Sequence, residues 1–217
     1  MMPPVFLLYI PLLVVLMLNS VSGQNVPPHR VKRPLSTEPF LALAILDSKL
    51  SLLTTQQAAL QISLNGHTST SLQSRMKLLK NMDRTTMAIM RRANRLENLC
   101  AKKHRQFGVR TFKIIGVKAG AVRRKLTAVK RARGRPGQRA AAKRLDEQII
   151  ALIVQFQAVS GGHEATHCRA GEWTCCEPKR AKDLMPGQEV GCRWMCLPRA
   201  NKCTGLLGLR IPVLAKK

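Results

Sequence analysis

Six cysteines near the C-terminus are the residues whose type and spacing most clearly imply chemistry. In an oxidising compartment such a set forms disulfides, which hold together segments too short to bury a core of their own. A bond between the adjacent residues Cys175 and Cys176 would be strained, so we expect these two to bond to different partners. A thiolate metal site is the alternative, which an exported chain makes less favourable. The sequence therefore predicts three disulfides, with the pairing left open, among Cys168, Cys175, Cys176, Cys192, Cys196 and Cys203.

A second candidate for chemistry is the segment His163-Glu164-Ala165-Thr166-His167. It matches the H-E-x-x-H pattern of zinc peptidases, in which two histidines one helical turn apart bind zinc and the glutamate activates a metal-bound water. That mechanism requires a continuous helix, whereas Gly161 and Gly162 precede the segment and Cys168 follows it directly. No G-x-S-x-G motif or phosphate-binding loop is present either. We therefore expect a non-enzymatic protein with no catalytic residue, no bound metal and no cofactor.

Basic residues dominate the middle of the chain. Residues 101–144 contain sixteen lysines and arginines and no aspartate or glutamate, and the whole chain has a formal net charge of +26. Arginine forms paired hydrogen bonds with sulfate or carboxylate groups, and lysine adds point charge. We predict that this stretch binds an anionic polysaccharide, an acidic matrix protein or an anionic surface. The candidate polyanion-binding residues are Arg123, Arg124, Lys125, Lys130, Arg131, Arg133 and Arg135.

Part of this stretch, Lys130-Arg131-Ala132-Arg133-Gly134-Arg135-Pro136, resembles the core of an AT-hook. The resemblance implies an extended Arg-Gly-Arg-Pro segment in the minor groove of A·T-rich DNA, where negative potential attracts arginine. It covers about seven residues and occurs once. Because the N-terminal segment predicts export, we expect no nucleic-acid partner.

The first 23 residues have the pattern of a secretory signal peptide. Residues 5–18 are uncharged and almost wholly apolar, and the run is shorter than the roughly 20 residues of a membrane-spanning helix. Small residues at the cleavage positions end with Gly23, and every charged residue follows it. We predict a secreted, extracellular mature chain that begins at Gln24 and has no transmembrane anchor.

Apolar residues recur at steps of three and four in several segments of the mature chain, which is the spacing of an amphipathic helix. The spacing predicts a mainly α protein in which helices form a hairpin or a coiled coil, joined by a basic connector to a further helix and a small disulfide-rich module. The predicted segments are an irregular leader at 24–39, a helical or coiled-coil region at 40–105, a basic connector at 106–137, an amphipathic helix at 138–162, and the cysteine-rich module and tail at 163–217.

The two helices predicted within residues 40–105 admit two arrangements. They form an antiparallel hairpin, or they form an interrupted coiled coil whose apolar stripe faces a second chain. Cys100 lies on that stripe. A symmetric homodimer would bring two such cysteines together, whereas within one chain Cys100 would be a small buried apolar residue.

The expected function follows from export, charge and crosslinking. We expect a secreted, strongly cationic, non-enzymatic protein that binds anionic extracellular material, as a matrix or biomineral component or as a cell-surface ligand. A cationic host-defence or venom polypeptide that acts on anionic membranes is the alternative. A zinc metallopeptidase built on residues 163–167 is the further alternative.

Overall fold

The structure is a computed structural model that describes residues 38–66, 71–161, 168, 172–198, 201 and 203. The predicted signal peptide, nearly all of the predicted leader, residues 163–167 and the tail after residue 203 lie outside the described residues. The predictions made for those segments therefore stay predictions.

The chain is mainly helical, and a small sheet near the C-terminus carries three disulfides, which confirms the predicted fold class. Apolar residues at steps of three and four give each helix one face that it buries against its neighbours. The described elements are α1 (Glu38–Asn65), α2 (Leu72–Lys102), α3 (Gln106–Arg131), α4 (Gly134–Ser160), β1 (Glu172–Pro178), a short 3₁₀ helix (Ala181–Asp183) and β2 (Cys192–Pro198).

The four helices form an antiparallel bundle because short connections reverse the chain after each of the first three helices. Helix α1 packs against α2 and α4, and α3 packs against the same two helices. At one end of the bundle the Arg139 Nε of α4 donates to the Leu64 carbonyl of α1 at 2.8 Å. At the other end Gly108 of α3 lies against Cys100 of α2.

The apolar stripes predicted for the first two helices are buried inside this bundle. Of the two arrangements that the sequence allowed, α1 and α2 therefore form the hairpin. The Cys100 side chain is fully buried, so a disulfide from it to a second chain would require the bundle to open. The buried stripe residues are Leu46, Leu50, Leu53, Gln57, Leu60 and Leu64 of α1, and Leu79, Met82, Thr86, Ile89, Ala93, Leu96 and Cys100 of α2.

Within the stretch predicted as a basic connector, residues 106–137, residues 106–131 form the core helix α3. The helix is stable despite eight basic residues and no acid because its apolar side chains recur at steps of three and four and meet α2 and α4. The basic side chains occupy the remaining surface. The fully buried residues that make this stripe are Phe112, Ile115, Ala119, Val122, Leu126 and Val129.

The break between α3 and α4 is confined to Ala132 and Arg133. Helix α4 begins at Gly134, which has a φ of +68°, and includes Pro136 and Gly137 in its first turn. Proline is tolerated there because its missing N–H would have no partner within the helix. Further along α4, Ile150 is 53% exposed, so it lies outside the buried face of the helix.

The C-terminal module is built on two strands that the turn-rich sequence did not predict. Strands β1 and β2 pair antiparallel. The three disulfides are Cys168–Cys196, Cys175–Cys203 and Cys176–Cys192. Neighbouring side chains on a strand point to opposite faces, and this geometry explains why the adjacent residues Cys175 and Cys176 bond to different partners, as predicted.

A fully buried glutamine holds the loop between the strands against α4. The Gln155 Nε2 donates to the Val190 carbonyl at 2.7 Å, and the Gln155 Oε1 accepts from the Glu189 N–H at 2.7 Å. The Glu189 carboxylate also lies 2.8 Å from the Lys118 Nζ of α3. Both ends of the amide are therefore satisfied by backbone groups of the loop.

Two further hydrogen bonds attach the module to one end of the bundle. The Trp194 Nε1 of β2 donates to the Val159 carbonyl in the last turn of α4 at 3.0 Å. The Arg105 Nη1, between α2 and α3, donates to the Cys203 carbonyl at 2.8 Å. The module therefore covers the end where α2 ends and α3 begins, opposite the turn between α3 and α4.

Candidate polyanion-binding site

The turn between α3 and α4 lies at a strongly basic end of the bundle, built from the start of α2, the end of α3 and the start of α4. We define the basic end as residues 71–80 and 123–144, which contain thirteen lysines and arginines and no aspartate or glutamate. The antiparallel packing of α2 against α3 brings these two stretches to the same end of the bundle, and Asp83, just after the first stretch, lies with its Oδ2 3.3 Å from the Lys130 Nζ of the second. The bundle therefore concentrates charge that the sequence distributes over separate segments.

All seven predicted polyanion-binding residues lie at the basic end. Five belong to the last three turns of α3, Arg133 directly precedes α4, and Arg135 is in its first turn. Arg124, Arg131 and Arg133 are exposed, and Lys125 and Arg135 are half-buried. The two that remain, Arg123 and Lys130, are engaged by a single carboxylate on α2.

That carboxylate is Asp83, which bridges α2 and α3 beside the basic end. Its Oδ1 accepts from the Arg123 Nε at 3.1 Å, and its Oδ2 lies 3.3 Å from the Lys130 Nζ. These side chains are partly exposed, so the pairs contribute little to stability. Their larger effect is on charge, because Asp83 offsets part of the positive potential on this side of α3.

Six further basic residues of this end were not singled out by sequence reasoning. Arg139 is one of them, and its bond to the Leu64 carbonyl places a cation at the C-terminus of α1, where the helix dipole favours positive charge. Three of them belong to α2 and reach this end only through packing, whereas the other three follow Arg135 on α4. They are Arg75, Lys77, Lys80, Arg139, Lys143 and Arg144.

Arg75 differs from the other basic residues of this end because it is buried. It is only 9% exposed, and its Nε and Nη1 atoms are buried with no hydrogen-bond partner. It occupies the position of the α2 stripe that precedes Leu79 and Met82. The apolar core therefore ends, on this helix, with a guanidinium group.

The segment that resembles an AT-hook does not adopt an extended form throughout. Arg133 has extended backbone angles, φ −88° and ψ 136°, but the helical residues of α4 begin with Gly134. Of the Arg-Gly-Arg-Pro core, only Arg133 is therefore extended, and the other three residues belong to the first turn of α4. This geometry differs from the extended chain that a minor groove accepts.

The remaining chemical motif, residues 163–167, lies in a part of the chain that the structure does not describe. Helix α4 ends before it, at Ser160. Within the described ranges, one group could place three ligand atoms around a metal ion, namely Cys168, Glu172 and Cys196. Because Cys168 and Cys196 are bonded to each other, neither offers a thiolate to a metal.

A shallow cavity of about 550 Å³ lies on α2, outside the basic end. It is lined by basic, amide and apolar side chains, so α2 adds positive surface beyond the basic end. The lining residues are Arg91, Asn94, Arg95, Asn98, Leu99 and Lys102.

Over the described part of the chain, no helix has the length and apolar character that a membrane span requires. Comparison with known proteins gives no family to which the basic end can be referred. No family model, no curated protein and no solved structure matches this chain significantly.

Proposed function

We propose that this protein is a secreted, non-enzymatic polycation whose basic end binds anionic extracellular material, with sulfated polysaccharide as the preferred partner. The observation that carries the proposal is the concentration of thirteen basic residues at one end of the bundle, where Asp83 is the acid that pairs with two of them. A surface of one sign attracts polyanions from a distance and holds them by many simultaneous contacts. Its arginines suit sulfate because each guanidinium donates two parallel hydrogen bonds to it.

The disulfide module supports secretion as the setting of this function. Three disulfides persist in oxidising compartments and are rare in reducing ones. A free sulfated polymer, an acidic matrix protein and a mineral surface all present anions in that setting. The basic end carries features that suit each of them, and the oxygens of a sulfate group can accept the paired hydrogen bonds that arginine donates.

The packing of α3 favours binding over membrane lysis, the alternative function for a cationic amphipathic chain. A helix that lies in a membrane interface uses its apolar face to enter the lipid. The corresponding face of α3, which includes Phe112, Ile115 and Leu126, is fully buried against the other helices. Entry of α3 into a bilayer would therefore cost the packing of the bundle.

Neutralising the basic end is expected to weaken binding to heparin far more than the same charge change elsewhere. We predict that Arg124→Gln, Arg131→Gln and Arg133→Gln together lower the salt concentration at which the protein elutes from immobilised heparin. By analogy with counterion release from DNA, the slope of log Kd against log salt falls by about two to three, because each arginine that pairs with a sulfate displaces about one counterion. The slope is obtained from binding titrations at several salt concentrations.

The control for this experiment carries the same change in net charge on other surfaces. Lys113→Gln, Lys182→Gln and Arg193→Gln replace three exposed residues outside the basic end. The control is expected to elute from heparin at nearly the same salt concentration as the unchanged protein. Equal reductions in the two triple variants would contradict a localised site. Dye leakage from anionic vesicles at the binding concentration would favour the membrane alternative.

Removing the carboxylate beside the basic end is expected to have the opposite effect. Asp83→Asn keeps the side-chain shape but frees the Arg123 and Lys130 side chains from their ion pair, so both become available to an anion. We predict elution from heparin at higher salt than the unchanged protein. The matched variant is Asp183→Asn in the 3₁₀ helix, whose carboxylate lies 3.8 Å from the Arg180 Nε. Elution of the Asp83→Asn variant at lower salt than the unchanged protein would contradict this prediction. It would show that Asp83 holds the Arg123 and Lys130 side chains in the position that binds the anion.

A further inference from the structure

The outer face of α2 carries a stripe of basic residues that runs almost the length of the helix. Its members recur at steps of three, four and seven residues, so they return to the same side of the helix. At 1.5 Å per residue the stripe extends for about 37 Å, from the basic end to the end that the disulfide module covers. We define the basic stripe as Lys77, Lys80, Arg84, Arg91, Arg95 and Lys102.

The basic stripe is accessible along its whole length. All six residues are exposed, and they lie on the side of α2 opposite its buried residues, which include Leu79, Ile89 and Leu96. The two acidic residues of α2, Asp83 and Glu97, lie on other sides of the helix, and Asp83 is engaged by α3. The stripe therefore presents charge of one sign to the solvent.

Helix stability does not account for this arrangement. Like charges three or four residues apart repel, and an exposed helical face is stabilised when bases alternate with acids at that spacing. Lys77, Lys80 and Arg84 follow one another at these spacings, as do Arg91 and Arg95. A polyanion that lay along the stripe would relieve this repulsion, so its binding would also stabilise the helix.

The half of the stripe nearer the disulfide module is concave. The shallow cavity of about 550 Å³ on α2 lies there, and Arg91, Arg95 and Lys102 are among its lining residues. Asn94 and Asn98 also line it, and their amide groups can donate to and accept from hydroxyl groups. Guanidinium and ammonium groups pair with sulfate. The cavity therefore combines groups that suit a sugar with both hydroxyls and sulfates.

We infer that the basic stripe binds an extended sulfated polysaccharide, which continues from the basic end along α2 towards the disulfide module. The inference rests on the proposed function and adds the shape of the ligand. A small anion would contact one or two members of the stripe at a time. A flat surface would not enter the cavity, whereas a linear chain can follow the stripe and fill it. Each further contact along one chain forms at a high effective concentration, so the contacts reinforce one another.

The test removes three charges of the stripe that lie outside the basic end. The stripe variant, Arg84→Gln with Arg91→Gln and Lys102→Gln, is expected to bind full-length heparin about tenfold more weakly, because three exposed ion pairs together contribute about that factor. The control is the triple variant of exposed residues outside the basic end that was described above, which has the same net charge and is expected to bind as the unchanged protein does. Kd is measured by titration of the full secreted protein at one salt concentration. Equal weakening in the stripe variant and the control would overturn the inference.

The length of the ligand supplies a second readout. For the unchanged protein, affinity for heparin oligosaccharides is expected to rise with their length until the ligand extends from the basic end along the whole stripe. The stripe variant should lose most of this gain for long oligosaccharides and little affinity for those too short to leave the basic end. An equal loss of affinity at every length would contradict an extended binding mode.

Failure of this inference is distinguishable from failure of the proposed function. If the stripe variant and the control bind heparin alike while neutralising the basic end still weakens binding, the polysaccharide is confined to the basic end and the inference is wrong. If Arg124→Gln, Arg131→Gln and Arg133→Gln together leave binding unchanged, the proposed function is refuted, whatever the stripe variant does.

Discussion

Replacing Gly108 with alanine is expected to destabilise the bundle by about 1–3 kcal/mol, although alanine favours a helix over glycine by about 1 kcal/mol. A β-carbon at this position would lie 2.5 Å from the Cys100 Sγ and 3.1 Å from the Cys100 Cβ. Both atoms belong to a fully buried side chain, so neither can move aside without disturbing the packing of α2 on α3. The free energy of unfolding is obtained by urea denaturation.

The same substitution at Gly120, one turn before Arg123 on α3, is the control. The nearest atoms to a β-carbon there lie 3.8 Å away, which is ordinary van der Waals contact. Gly120→Ala is therefore expected to be neutral or stabilising by up to about 1 kcal/mol. A stabilising effect at both positions would show that α2 and α3 are farther apart than described.

Cys100→Ala completes a double-mutant cycle with Gly108→Ala. Removing the sulfur creates space for the new methyl group, so the double variant is expected to recover part of the stability that Gly108→Ala removes. The coupling energy should fall in the range of about 0.5–3 kcal/mol that is usual for residues in contact. Additive effects would contradict direct contact between the two positions.

Replacing Gln155 with leucine is expected to release the loop of the disulfide module from α4, at a cost of about 2–5 kcal/mol. The change removes the Gln155 Nε2 donor and the Oε1 acceptor, so the Val190 carbonyl and the Glu189 N–H lose these hydrogen bonds. Each buried group left unsatisfied lowers the free energy of unfolding by about 1–3 kcal/mol. Leucine is similar in size, so little of the effect comes from packing. The loss should appear in urea denaturation and as faster tryptic cleavage after Lys179, Arg180 and Lys182.

Two variants make this prediction specific. Gln157→Leu changes an exposed glutamine one turn from the end of α4 and is expected to alter neither measurement. Gln155→Glu keeps the shape of the side chain and an acceptor for the Glu189 N–H but loses the donor to Val190, so the glutamate variant should also release the loop. If Gln155→Leu left tryptic cleavage unchanged, the amide would not be what holds the loop.

The sequence predicted α1, α2 and α4 because their buried residues recur at helical spacing in stretches that contain acidic as well as basic residues. For α3, in which Phe112, Ile115 and Val122 have the same spacing, the sequence allowed a partial amphipathic helix, but its sixteen bases without an acid led us to describe the stretch as a basic connector. Charge on the outer face of a helix does not prevent burial of the inner face. The strands were missed because cysteines and prolines replace the alternation by which a strand is recognised.

The candidate site was predicted in part, for a related reason. The seven residues named from sequence are close together in the chain, and the structure places all of them at the basic end. Arg75, Lys77 and Lys80, more than 40 residues earlier in the chain, reach it through the packing of α2 against α3. The role of Asp83 had no local signal, because its partners lie 40 and 47 residues further along the chain. Such partners are fixed by the order in which helices pack.

The length of α4 sets how far the disulfide module lies from the basic end. Gly134 lies at the basic end, and the Val159 carbonyl accepts the hydrogen bond from Trp194 of the module. At 1.5 Å per residue, the helix between them spans about 37 Å. A molecule that is attached to a polyanion through its basic end therefore holds the disulfide module about one helix length away from that point of attachment. The crosslinked module is then exposed to contact with other molecules in solution.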